Sequence, residues 1–124
     1  KLNKGVQPNF IFASEKCQGK YIALCEGDDY WIDKHKLKRQ VEILENNPKY
    51  SYCGHNYNVL DDVKIESHKI NSGEYFFKDI VKRNVIHTST LMYRRDVILN
   101  IPKEFKLLKA GDWLLQLLVD PEQP

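Results

Sequence analysis

The sequence predicts an α/β fold in which a mostly parallel, mixed sheet is flanked by helices in a Rossmann-like arrangement. Residues 21–25 form an apolar run without polar alternation, which is typical of a strand covered on both faces by helices. Helical and strand-like segments alternate along the rest of the chain. With 124 residues, 42% of them hydrophobic, there is apolar material for one core. We therefore expect one domain with the 21–25 strand at the centre of its sheet.

Two helices are predicted around this strand. Apolar residues recur at helical spacing over about 7–18, so a helix should lead into the strand. Leu37, Val41 and Leu44 mark the apolar face of a second helix, over about 36–45. The Asn-Asn-Pro sequence that follows should end it.

The second half of the chain predicts two more strands and two more helices. Residues 50–60 are typical of a strand, and the apolar stripe within 76–81 indicates a helix. Residues 88–93 have strong β character. Residues 113–119 are apolar nearly all round, so this last helix should be buried.

Composition argues against several classes of partner. The net charge of +2 is too small to indicate nucleic acid as a partner. No apolar run approaches the roughly 20 residues of a transmembrane helix, so any membrane association should be peripheral, at the inner face, or come from parts of the protein outside this chain. The three cysteines are odd in number and lack metal-site spacing, which suits reduced thiols. A cytoplasmic protein is therefore expected.

Three carboxylates follow the 21–25 strand directly: Glu26, Asp28 and Asp29. In open α/β sheets, ligands bind just beyond the carboxyl ends of the strands. Mg²⁺ and Mn²⁺ prefer carboxylate oxygens and often share them with substrate phosphates. Gly27 should let the backbone turn sharply between the acids. On these residues alone, an ordinary solvated turn is an equally good interpretation.

The region around the acids resembles the centre of family 2 glycosyltransferases with the GT-A fold. The resemblance rests on residues 19–23 and 26–31, followed by Lys36, Leu37 and Gln40. In that family, the strand ends in an Asp-x-Asp type motif that holds a metal and the diphosphate of the nucleotide sugar. Here Glu26 stands in place of the first aspartate of that motif, and an additional acid, Asp29, follows Asp28.

Flanking segments extend the resemblance over nearly the whole chain. Upstream, Asn3, Gly5 and Asn9 look like the Asn-x-Gly segment and the following asparagine that precede the metal strand. Downstream, residues 85–95 look like the acceptor-side strand. Residues 111–113 look like the loop that carries the catalytic base. The order of these segments along the chain is that of the family.

The resemblance implies a metal-dependent transferase that inverts the anomeric carbon. It would move a sugar from a nucleotide-diphosphate sugar to a saccharide or lipid-linked saccharide acceptor. Asp112 would be the catalytic base, and Asp28 and Asp29 would bind Mn²⁺ or Mg²⁺. The implied donor-binding residues are Asn3, Gly5, Asn9, Glu26, Asp28 and Asp29. The implied acceptor-binding residues are Trp31, His87 and Trp113.

Each of these side chains also has a structural alternative. Asp112 could cap the helix that follows it, and His87 could be a structural hydrogen-bonding residue. Trp31 could pack the loop against the sheet instead of stacking on a sugar. Arg94 and Arg95 could neutralise phosphate or lie at a solvated strand end.

Other classes of protein fit less well. The main alternative is a non-catalytic nucleotide- or carbohydrate-binding module. The sequence has no Gly-x-x-x-x-Gly-Lys-Ser/Thr loop, which argues against a P-loop nucleotidase, and the acids lack EF-hand spacing. A GT-A domain opens with a βαβ unit that forms the nucleobase pocket and ends with further helices. We therefore expect residues 1–124 to be a single partial domain that lacks both.

Overall fold

The computed structural model describes residue 3 and residues 5–102, 104–105 and 111–119. Residues Thr88–Thr90 form a one-turn 3₁₀ helix. The other elements, in chain order, are α1 (Val6–Lys16), β1 (Tyr21–Ala23), α2 (Lys36–Asn46), β2 (Tyr52–Cys53), β3 (Tyr57–Leu60), β4 (Ile65–His68), α3 (Phe77–Ile80), β5 (Met92–Arg94), α4 (Arg95–Leu99) and α5 (Gly111–Leu118). The α/β class is confirmed.

The main sheet has three strands in the order β1, β5, β2. Both β1 and β2 run antiparallel to β5, with Ile22 opposite Tyr93 and Cys53 opposite Met92. A mostly parallel, Rossmann-like sheet is thus not confirmed in the described part of the chain, where β5 is central and β1 lies at an edge. A continuous apolar run predicts burial on both faces, but it does not specify the direction of the neighbouring strands.

The predicted strand over 50–60 is divided between two sheets. Its first part is β2, whereas β3 pairs with β4 in a separate hairpin, with Tyr57 opposite His68. The break begins at Gly54, where a Cβ atom would lie 2.2 Å from Cγ2 of Ile86. Only glycine allows the backbone so close to this side chain.

Helix α2 packs on the sheet as expected, but with a different face. Leu44 is fully buried, and Lys36 and Gln40 are only 5% and 3% exposed. Leu37, which was predicted to face the core, is 43% exposed. The buried face of α2 therefore consists of Lys36, Gln40 and Leu44, which are four residues apart. Hydrogen bonds, rather than apolar character, explain why the first two of them are buried.

Those hydrogen bonds tie α2 to the sheet. The amide nitrogen of Gln40 donates to the Thr90 carbonyl (2.8 Å) and to the Cys53 carbonyl (3.2 Å). The ammonium of Lys36 donates to the Gln40 side-chain oxygen (2.7 Å). Buried polar groups are tolerated when they are paired in this way.

The remaining elements surround one core. Helix α1 packs on α4, and α3 packs on α5. The predicted helices over 7–18 and 113–119 are confirmed with slightly shifted ends. The helix predicted over 76–81 is only one turn long, and of the strand predicted over 88–93 only the end is a strand. The buried core cluster consists of Ile22, Ile86, Leu91, Tyr93, Ile98, Phe105, Leu115 and Val119.

Within the ranges that the structure describes, no helix combines the length and the apolar character needed to cross a membrane.

Candidate active site

The acidic loop, residues 26–31, begins shortly after β1. Hydrogen bonding to the central strand continues one residue beyond β1, from the Leu24 amide to the Leu91 carbonyl (3.0 Å). The loop then turns, with the Asp29 amide donating to the Glu26 carbonyl (3.2 Å). Gly27 has no positive φ, and a Cβ there would meet nothing within 4 Å. The chain turns at Gly27 as expected, but with a backbone conformation and space that other residues could also adopt.

Ser89 holds the acidic loop in place. Its hydroxyl donates to the Asp29 carboxylate and accepts the Glu26 amide (3.4 Å). Its carbonyl accepts the indole N–H of Trp31 (3.1 Å). Ser89 is only 8% exposed. Sequence reasoning missed this residue, although three consecutive hydroxyl side chains before a strand were a usable signal.

Asp112 lies in the first turn of α5 and is oriented by two side chains. Its Oδ2 accepts from the Thr88 hydroxyl (3.0 Å) and from the Asn84 amide (3.2 Å). The Thr88 bond links α5 to the 3₁₀ turn that precedes β5, and the Asn84 bond links it to the segment that follows α3. The hydrogen bonds seen for Asp112 thus run to other segments rather than to its own helix, which differs from the capping alternative.

One cavity of about 180 Å³ brings Asp112 and Glu26 together. The two residues are far apart in sequence and occupy α5 and the acidic loop. We call this space the acidic-loop cavity. Its walls are formed by Val6, Gln7, Phe10, Leu24, Cys25, Glu26, Thr88, Phe105, Gly111, Asp112 and Leu115.

Negative charge accumulates at this cavity. Partial burial raises the pKa of Glu26 above its usual value, and the nearby charge of Asp29 raises it further. Asp28 and Asp112 add smaller effects in the same direction, while His87 opposes them. A group of carboxylates that repel one another would be stabilised by a cation.

The donor set fits a metal that shares its coordination with substrate. Asp28 and Asp29 supply carboxylate oxygens, which Mg²⁺ and Mn²⁺ prefer. In the described ranges, no three or more His, Cys, Asp or Glu side chains are arranged to hold a metal. Mg²⁺ sites often use only one or two carboxylates together with substrate phosphates and water. The residues suit such a shared site rather than a closed protein cage.

The predicted donor residues near the N-terminus shape the start of α1. The Asn3 side-chain oxygen accepts the Gly5 amide (2.9 Å), and Gly5 has φ of 83°, a conformation that favours glycine. Asn9 is exposed, and its amide donates to the Gly5 carbonyl (3.1 Å). Helix α1 reaches the acidic-loop cavity through Gln7 and Phe10, whereas the three predicted residues are not among its walls.

The two predicted acceptor tryptophans are both anchored through their indole N–H groups. Trp31 donates to Ser89 and lies under the ammonium of Lys36, with 4.2 Å between nitrogen and ring centroid. Trp113 donates to the Ile80 carbonyl (2.6 Å) and joins α5 to α3. These contacts agree with the packing interpretation of Trp31.

His87, the third predicted acceptor residue, packs with its ring tilted by 31° against Tyr57. Its ring lies 4.4 Å from that of Tyr57, and Tyr57 in turn stacks on His68 at 4.9 Å. These ring contacts fasten the β3–β4 hairpin to the segment that enters the 3₁₀ turn. His87 therefore has a structural contact beside the cavity-lining residue Thr88.

Arg94 and Arg95 bind backbone carbonyls. Arg94 donates from Nε to Tyr50 (2.7 Å), and Arg95 donates from Nε to Cys17 (2.7 Å). Neither residue lines the acidic-loop cavity. The guanidinium groups join helices and loops to β5 rather than extending the acidic site.

Comparisons with known proteins identify the family of this sequence. Residues 1–101 match the model of glycosyl transferase family 2. Uncharacterized proteins of Mycobacterium bovis and Mycobacterium tuberculosis are each 37% identical over 97 residues, which are 75% of this chain and 28% of each relative. The putative teichuronic acid biosynthesis glycosyltransferase TuaG of Bacillus subtilis is 28% identical over 85 residues, which are 68% of this chain and 33% of the relative.

This chain spans a third or less of the length of these relatives. No solved structure matches it. The family model covers most of the chain, including the acidic loop and the strand β5 that supports it. The chain therefore belongs to glycosyl transferase family 2.

Proposed function

We propose that the protein is part of a glycosyltransferase that moves a sugar from a nucleotide-diphosphate sugar to a hydroxyl of a saccharide or lipid-linked saccharide acceptor. Family membership supports the class of reaction. The observation that carries the site is the acidic-loop cavity, in which Glu26 and Asp112 share the same walls. Donor and acceptor chemistry can therefore meet in one space.

Asp112 is the proposed base. Thr88 and Asn84 hold its Oδ2, so its second oxygen can accept the proton of an acceptor hydroxyl. A base must lie within hydrogen-bond reach of the hydroxyl that it deprotonates. Attack by that hydroxyl on the face opposite the leaving diphosphate inverts the anomeric carbon, and no covalent intermediate with the enzyme is needed.

Asp28 and Asp29 are the proposed ligands of Mn²⁺ or Mg²⁺. When bound, such a cation offsets the charge that develops on the leaving nucleoside diphosphate. Glu26 would contact the donor beside them. Asn3, Gly5 and Asn9 are proposed donor contacts because they lie at the start of α1, which forms one wall of the cavity.

Trp31, His87 and Trp113 are the proposed acceptor contacts. Two of them lie next to residues that support a carboxylate, since Trp31 binds Ser89 and His87 precedes Thr88, and Trp113 follows the carboxylate residue Asp112 itself. Their rings would contact an acceptor sugar, while the indole N–H groups of Trp31 and Trp113 keep the structural bonds described above.

The Asp112→Asn variant tests the base in the full-length protein. We expect donor and metal affinity to be retained while transfer falls by a factor on the order of 10² or more, because the amide cannot accept the proton. The matched control is Asp96→Asn, which changes an exposed aspartate in the first turn of α4. Turnover of Asp112→Asn close to that of the control would show that Asp112 is not the base.

The Asp28→Asn and Asp29→Asn variants test the metal ligands. Each should weaken Mn²⁺-dependent binding of the nucleotide sugar and leave the apo fold intact, because loss of a carboxylate removes a ligand and relieves charge repulsion. Titrations with Mn²⁺ measure the effect. Unchanged metal dependence in both variants would reject the site.

A non-catalytic nucleotide- or carbohydrate-binding module is the second candidate. Donor hydrolysis and transfer, assayed with Mn²⁺ beside nucleoside diphosphate binding, distinguish the two functions. Binding without any turnover by the full-length protein would identify the module.

A further inference from the structure

Two consecutive hydroxyl side chains reach the two carboxylates to which the proposed function gives different roles. Thr88 donates to Asp112, the proposed base, at 3.0 Å. Ser89 donates to Asp29, a proposed metal ligand. Both belong to the one-turn 3₁₀ helix that precedes β5. This turn is therefore a direct connection between the base and the acidic loop.

The turn is firmly held by its own bonds. The Thr90 and Leu91 amides donate to the carbonyls of His87 and Thr88, each at 3.0 Å. The Thr90 hydroxyl also donates to the His87 carbonyl (2.7 Å), and Thr90 is 1% exposed. The Thr90 carbonyl accepts a hydrogen bond from the side-chain amide of Gln40 in α2. The turn thus has fixed contacts with both α2 and the central strand.

Ser89 is placed to control the shape of the acidic loop. Within the acidic loop, the Ser89 hydroxyl contacts the backbone amide of Glu26 and the carboxylate of Asp29. Like-charged carboxylates repel each other, so a bond that fixes one of them also fixes their spacing. Loss of the Ser89 hydroxyl would leave the Asp29 carboxylate free to rotate.

Thr88 contacts the other carboxylate. It lines the acidic-loop cavity together with Asp112, and its bond occupies Oδ2. Because this bond fixes the orientation of the Asp112 carboxylate, it also fixes the direction of the other carboxylate oxygen, Oδ1. Loss of the Thr88 hydroxyl should therefore affect transfer without changing the acidic loop.

We propose that Thr88 and Ser89 are positioning residues that separately orient the base and the metal carboxylates from one rigid turn. This inference rests on the proposed function. It adds that the two residues have separate roles: Ser89 sets the affinity for the cation, whereas Thr88 sets the rate of transfer once donor and cation are bound.

Ser89→Ala and Thr88→Val in the full-length protein test this division. Electron paramagnetic resonance of free Mn²⁺ measures metal affinity without turnover, and initial rates at saturating Mn²⁺ give kcat and donor KM. Ser89→Ala should raise the Mn²⁺ Kd about tenfold with kcat nearly retained, as expected when one hydrogen bond to a charged group is lost. Thr88→Val should lower kcat about tenfold with Mn²⁺ Kd and donor KM unchanged. Thr88→Ser keeps a hydroxyl and should restore kcat.

Thr90→Val is the matched control within the same turn. Its hydroxyl contacts a backbone carbonyl and neither carboxylate, so the variant should lower the melting temperature but not separate Kd from kcat. If Ser89→Ala leaves the Mn²⁺ Kd unchanged, or Thr88→Val leaves kcat unchanged, the inference is wrong. Equal effects of both variants on both quantities would also overturn it, because a merely structural turn predicts that result.

The outcomes also separate this inference from the proposed function. If wild type binds Mn²⁺ and Asp112→Asn is inactive while the turn variants behave like Thr90→Val, only the inference fails. If wild type neither binds Mn²⁺ nor transfers sugar, both fail.

Discussion

The ammonium nitrogen of Lys36 lies 4.2 Å from the centroid of the Trp31 ring. This cation–π contact joins the first residue of α2 to the last residue of the acidic loop. Lys36 is 5% exposed and also donates to Gln40. A buried lysine therefore supports the loop through an aromatic ring.

The stability of the protein should depend on the titration of Lys36. Burial lowers the pKa of its ammonium below the ordinary 10.5. Between the folded pKa and 10.5, the unfolded chain binds more protons, so the free energy of unfolding rises with pH in that window. Lys36→Met keeps the packing of the stem but does not titrate. In urea titrations, wild type should gain stability relative to Lys36→Met as pH rises from neutral toward 10.5.

Lys38→Met is the control for this pH effect. Lys38 lies on the same helix, and its side chain is 75% exposed beside Glu42. Its removal should change stability little, because an ion pair between exposed side chains contributes little. The same pH trend in both variants would argue against an effect of burial at Lys36.

Gly54→Ala should destabilise the fold. The added Cβ would lie 2.2 Å from Cγ2 of Ile86 and 3.0 Å from the Thr90 hydroxyl. Overpacking of this kind costs about 2 kcal/mol, which urea unfolding can measure. Gly27→Ala is the matched control because a Cβ at Gly27 meets nothing within 4 Å. Equal stability of the two variants would contradict the close approach at Gly54.

Alkylation of Cys25 should report occupancy of the acidic-loop cavity. Cys25 was expected to end a buried strand, but β1 ends at Ala23, and Cys25 is exposed and lines the cavity. Burial raises the pKa of Cys53 to about 11, so its reactive thiolate is scarce at neutral pH. Iodoacetamide should therefore modify Cys25 well before Cys53, as measured by peptide mass spectrometry.

Nucleoside diphosphates should protect Cys25 from this reaction. UDP, GDP and dTDP with Mn²⁺ are suitable probes, and the half-buried Cys17, which does not line the cavity, serves as the internal control. Selective protection of Cys25 by one of these nucleotides would identify the nucleobase of the sugar donor. Undiminished labelling at saturating concentrations of all three would mean that the diphosphate binds elsewhere.

The sequence by itself determined the features that depend on short-range patterns. Helices α1, α2 and α5 follow from apolar periodicity and from helix-ending residues. The acid cluster after the first strand, together with the ordered segments around it, predicted the family that the comparison confirms. Each helix and each motif is local because its residues lie within a few turns of one another, and the order of the motifs is written in the sequence itself.

Only the tertiary structure decided how the segments meet. Ser89 reaches Asp29 across 60 positions, and Thr88 reaches Asp112 across 24. The central position of β5 and the buried polar face of α2 arise from the same long-range contacts. Strand direction and hydrogen-bond partners depend on which distant segments pack together, and a local apolar pattern is compatible with several such arrangements.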